Sequence, residues 1–142
     1  VFKLALIALL AVVAGTAQAQ QCAPRDALEQ AVRNYGERQI GFGVDSQSGS
    51  YVTVYAASSG AWTFLMTPAG RPRFLCIVGV GTQIEHTSGG ITGVMADKSV
   101  INLSYQMDGE WRVDYINPAA GVWQRVSRGH GWEATQAPDS RT

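Results

Sequence analysis

The chain is poor in the residues that most often carry chemistry. Its 142 residues hold two cysteines, two histidines and only 15% charged side chains, and the 11 basic and 11 acidic groups cancel. A net charge near zero leaves no positive field for a phosphate backbone, so no nucleic acid partner is expected. The longest apolar run, residues 4–14, is shorter than the roughly 20 residues a bilayer-spanning helix needs. No membrane span is expected. Without a C-x-x-C arrangement, two cysteines and two histidines supply no metal-ligand spacing. No glycine-rich turn follows a strand and opens a helix, as a phosphate cradle requires, and there is no Gly-x-Ser-x-Gly elbow for a nucleophile. Neither a metal nor a cofactor is expected.

What is present begins with an address. Lys3, the apolar residues 4–14 and the small-x-small site Ala17-Gln18-Ala19 are, in order, the three parts of a secretory signal peptide. Cleavage between Ala19 and Gln20 divides the chain into a leader over residues 1–19, one domain over 20–132 and a polar, flexible tail over 133–142. Gln21, rather than a small residue, precedes Cys22; no lipid anchor is expected. The expected location is the periplasm or the extracellular medium. In an oxidising compartment an even cysteine count reads first as a bridge. Joining Cys22 to Cys76 closes a loop of about 55 residues, worth about 4 kcal/mol in a chain-entropy account.

Pro24 to Tyr35 reads as a helix, with Pro24 in the first turn, Asp26 at the positive end of the dipole and Gly36 as a left-handed C-terminal cap. Leu28, Ala31, Val32 and Tyr35 form its apolar stripe. Beyond Gly36 the hydrophobic period falls from 3.6 to 2. Strands are expected over 51–57, 61–67 and 73–80, then over 100–107, 111–115 and 122–127, with Asp108-Gly109 as a hairpin turn. Phe74, Cys76 and Val78 share a face of the third strand, placing the bridge on the side of the large apolar groups. Tyr55, Gly60, Trp62 and Pro68 are echoed by Tyr105, Gly109, Trp111 and Pro118, either through internal duplication or through the shared vocabulary of hairpins. Residues 81–98 show no period and read as a long loop or an irregular edge. The fold class is α+β: one N-terminal helix packed on antiparallel sheet made of two β-meanders.

Cys22, the helix ending Tyr35-Gly36-Glu37, the strand ending Ala57-Ser58, Gly60 with Trp62-Thr63, Thr67-Pro68 with Gly70, and Cys76 to Val78 with Gly79 or Gly81 form a joint pattern. Over residues 22–85 that pattern resembles a family of small, exported, disulfide-bonded proteins of Gram-negative bacteria whose activity is uncharacterised. The chain departs from it at Ala61, where a threonine is expected, and at Arg71-Pro72-Arg73, which lengthens a turn. The resemblance implies an exported, disulfide-bonded domain and carries over no catalytic residue.

Two candidate sites remain. Glu85, His86 and His130 are the groups suited to proton transfer, as in a small envelope enzyme such as a cell-wall hydrolase. Solvated loop histidines are the commoner meaning of such residues. The other candidate is a patch of Trp123, Arg125, Arg128 and Trp132, residue types enriched in interface hot spots. Trp62 and Trp111 are expected in the core. The leading expectation is a non-catalytic binding module whose partner is an envelope protein, which it would inhibit or assist, or a cell-wall component.

Overall fold

The computed structural model describes residues 21–134, so Ala17, Ala19 and Gln20 of the cleavage site lie outside the described residues. β1 (Gln21–Pro24) leads directly into the helix α1 (Arg25–Asn34). Pro24 is the N-cap residue at φ −55°, just ahead of the first turn in which it was expected. Gly36 takes the left-handed φ of 79°. Its N–H donates to the Arg33 carbonyl and that of Glu37 to Val32, closing the helix end as the sequence indicates.

The remaining strands are β2 (Arg38–Val44), β3 (Tyr51–Ala56), β4 (Trp62–Met66), β5 (Phe74–Gly81), β6 (Gln83–Thr87), β7 (Gly90–Val94), β8 (Val100–Tyr105), β9 (Glu110–Ile116), β10 (Trp123–His130) and β11 (Glu133–Ala134). They form two antiparallel sheets. The first runs β1-β5-β4-β3-β2-β11 and the second β10-β9-β8-β7-β6. The fold is therefore α+β, one helix on two antiparallel sheets, with a β-meander in each.

Leu28 and Val32 of α1 pack on Tyr55, Leu65 and Leu75, on the outer face of the first sheet. Tyr35 is 40% exposed and lies off the packed stripe. Leu75, with Ile77 beside it, faces the helix. Cys76 alternates to the other side, so the Cys22–Cys76 bond joins β1 to β5 across a directly opposed pair without sharing the helix-side cluster. Between the sheets lies the larger core, built from Val52, Val54, Trp62 and Phe64 of one sheet and Ile91, Ile101, Leu103, Trp111 and Val113 of the other.

Five strands fall outside the expected ones: the short terminal β1 and β11, and β2, β6 and β7. β2, β6 and β7 are punctuated or flanked by Gly41, Gly43, Gly89, Gly90 and Gly93, where a half-buried strand normally shows apolar side chains. Gly41, Gly43 and Gly93 face indole rings contributed by other segments of the chain: a Cβ at Gly93 would stand 2.6 Å from the Trp62 ring, and one at Gly43 would stand 2.7 Å from Trp111. The apolar mass is present but belongs to another part of the chain. Residues 81–98 consequently contain the β6–β7 hairpin rather than forming a long loop, and β6 is an edge of the second sheet. At the far end, Glu133 and Ala134, the start of the expected flexible tail, pair with Phe42 and Gly41.

The two sheets repeat one register. Val52, Val54 and Ala56 of β3 oppose Met66, Phe64 and Trp62 of β4. Ile101, Leu103 and Tyr105 of β8 oppose Tyr115, Val113 and Trp111 of β9 at a constant sequence offset. Trp62 then stands opposite Gly81 on β5, as Trp111 stands opposite Gly129 on β10. The match thus extends beyond the hairpins themselves to the glycine partners on a third strand.

Candidate functional site

The outer face of the second sheet is assembled from residues that alternate away from the core. Across the strands, Trp123 is in line with Ile116, Val100 and Val94, an apolar row. The next row is Arg125, Asp114, Asn102, Thr92 and Glu85, and the one beyond it begins with Arg128, Arg112 and Ser104. Arg125 Nε donates to Asp114 Oδ1 at 2.7 Å, and Thr92 Oγ1 to Asn102 Oδ1 at 2.9 Å. Glu110 takes Arg112 and Arg128, each at 3.2 Å, on its two carboxylate oxygens. Trp123 is 51% exposed beside these pairs.

Trp123, Arg125 and Arg128 share this face because of an irregularity. Residues three apart on a regular strand point to opposite sides. The register of β10 against β9 shifts between Arg125 and Ser127, a β-bulge at Val126 that returns Arg128 to the side of Arg125. Trp132, the fourth residue of the expected patch, is not part of it. Its ring packs against Trp111 at 5.3 Å and Tyr105 at 6.2 Å and covers Gly41, closing an end of the core. The chain has turned at Gly131, φ 75°, and crossed toward the first sheet.

The titratable candidates do not converge. Glu85 and His86 are adjacent on β6 and so point to opposite faces. His130 is on β10, the opposite edge of the five-stranded sheet, about 19 Å away at roughly 4.8 Å per strand step. Both histidines are exposed. Proton transfer requires hydrogen-bond reach or one bridging water, which this separation denies to Glu85, His86 and His130 as a unit. Among the described residues there is no group of three His, Cys, Asp or Glu placed to hold a metal.

Two buried carboxyls have structural partners. Glu37 accepts a hydrogen bond from Thr63 Oγ1 at 2.8 Å beneath the end of the helix. Burial raises its pKa, and the Thr63 bond opposes that only in part. Asp45 sits where β2 meets β10, and Gln47 N, Ser48 N, Ser48 Oγ and Ser127 Oγ all donate to it. Burial works against its charge, but these donors together outweigh burial and hold its pKa below the ordinary aspartate value. Asp45 also forms a backbone bridge with Gly129, so it latches one sheet to the other. Sequence pattern gave neither carboxyl a role, since Thr63 and Ser127, the partners that tie Glu37 and Asp45 to other strands, lie 26 and 82 residues away.

No protein-family model, curated protein or solved structure matches the chain. Among the described residues, no helix is long and apolar enough to cross a membrane.

Proposed function

We propose that the chain is an exported, non-catalytic binding protein that engages a protein of the cell envelope through the outer face of its second sheet. One observation carries this reading. Helix α1 covers the outer face of the first sheet, whereas no element among the described residues covers that of the second, where exposed Trp123 stands beside Arg125 and Arg128. Tryptophan and arginine dominate binding hot spots because they combine large contact area with directed hydrogen bonds. Export is supported by the leader pattern of residues 1–19, by the resemblance over 22–85 and by the Cys22–Cys76 bond, a linkage that persists in oxidising compartments.

The test uses the purified protein and a Trp123→Ala/Arg125→Ala variant of unchanged thermal midpoint. Both are offered to envelope extract, and any retained protein is identified, purified and titrated directly. The expected result is one defined partner whose affinity falls by about 2 kcal/mol or more in the variant. Equal affinity for both forms overturns the proposed face, and retention of cell-wall polymer alone overturns the protein partner. Export is tested separately by fractionation, where cytoplasmic protein with two free thiols is the opposing outcome.

A further inference from the structure

We propose that the arginine cluster on β9 and β10 is a carboxylate-binding subsite, which takes an Asp or Glu side chain of an acidic partner segment between Arg112 and Arg128. The inference rests on the outer face of the second sheet being the partner surface.

Arg112 and Arg128 are directly opposite one another in the β9–β10 ladder. Like charges in that relation repel. Both guanidinium groups reach the single Glu110 carboxylate, while Asp114 is engaged by Arg125. Three guanidinium groups thus share two carboxylates on these strands, leaving one positive charge in excess. Arg112 Nε is shielded from solvent and has no hydrogen-bond acceptor. A donor in that state costs free energy in the folded protein.

The chemistry that answers the opposed guanidinium groups and the excess positive charge is a planar oxyanion. A guanidinium presents parallel N–H groups that match the two oxygens of a carboxylate, and two opposed arginines can take one from either side. Their side chains are 40% and 57% exposed, so a ligand can reach them. The apolar row of Trp123, Ile116 and Val100 lies on the same face. An acidic polypeptide segment that also carries large apolar side chains uses both features, whereas an inorganic anion uses one.

The experiment measures fluorescence anisotropy of labelled peptides of alternating Asp and Leu, or of alternating Asn and Leu, titrated with the protein. The wild type is expected to bind the Asp peptide at least about tenfold more tightly than the Asn peptide, the minimum for a hydrogen bond to a charged group. Arg128→Gln and Arg112→Gln are expected to bring that ratio close to one, and Arg128→Lys to keep part of it. Arg33→Gln on α1 is the control and should leave the ratio unchanged. Should Arg112→Gln fail to fold, Arg128→Gln, at the more exposed side chain, gives the same comparison. Equal binding of the two peptides, or binding of neither, overturns the subsite. If the peptides bind equally and only Trp123→Ala weakens them, the partner surface stands and the carboxylate subsite falls. Displacement of the Asp peptide by inorganic phosphate as readily as by an unlabelled Asp peptide overturns the acidic segment as the occupant.

Discussion

In the first sheet Trp62 lies opposite Gly81 and against Gly93 of the second; in the second sheet Trp111 lies opposite Gly129 and against Gly43 of the first. A Cβ at Gly81 would collide with the backbone oxygen of Val94, and one at Gly129 with that of Val44. The inner faces are thus built alike, each tryptophan filling the space that glycines of both sheets leave open. The outer faces differ. Where the first sheet pairs Tyr55 with Thr63 and Thr53 with Leu65, the second pairs Ser104 with Arg112 and Asn102 with Asp114. Tyr55 and Leu65 provide an apolar floor for α1, while the corresponding Ser104 and Asp114 provide none. One set of inner contacts supports two sheets, and outer polarity decides which recruits a helix and which stays uncovered.

The most severe way to break the comparison is to empty the core on one side. Trp62→Ala and Trp111→Ala are each expected to cost about 3–5 kcal/mol in urea unfolding, because each leaves a large cavity between rigid sheets. Similar losses sustain the equivalence of the two halves; a loss at one site less than half that at the other breaks it. Reducing Cys22–Cys76 comes next, at about 2–4 kcal/mol. Since the bond ties β1 to β5, hydrogen exchange should accelerate in β1, α1 and β5 before it does in β8 and β9. Uniform acceleration would show that the sheets unfold only together.

The seam between the sheets is the next target. Asp45→Ala is expected to cost about 1–3 kcal/mol at pH 7, because it strips Ser127 and the Gln47 and Ser48 amides of their acceptor. The folded state holds the Asp45 pKa low, so its contribution is present above the ordinary aspartate value and is lost as pH falls through the folded one. The gap between wild type and variant should therefore narrow in acid; a constant gap would contradict the charged role. The smallest effect is expected on the open face. Arg125→Ala should change stability by no more than about 0.5 kcal/mol, since its ion pair with Asp114 is partly exposed. A larger loss in thermal unfolding would give this face a structural duty like that of the helix-covered one.

Much of this plan was legible in the chain. Leu28 and Val32 at helical spacing and the alternation from Ile101 to Tyr105 identify an amphipathic helix and a half-buried strand, because burial on one side imposes a period. The cysteine pair was legible as a bridge because the chain has two cysteines and no other partner for either, and the Cys22–Cys76 bond is formed. β2 and β7 were not, since Gly41, Gly43 and Gly93 take inward positions whose space is filled by tryptophans from elsewhere. Within the candidate site, Trp123 and Arg125 share a face by simple alternation. Arg112, Glu110 and Asp114 could not be tied to them without knowing that β10 returns beside β9.

By itself, then, the sequence determined the class of fold, the helix with its glycine cap and the strands whose apolar residues alternate, all through interactions short along the chain. Tertiary structure alone decided that Trp132 closes the core, that Glu85, His86 and His130 stay apart, and that the Val126 bulge brings Arg128 to the side of Arg125. These depend on how distant strands meet, and a polar residue on an open face carries no periodic mark of the neighbour it will acquire.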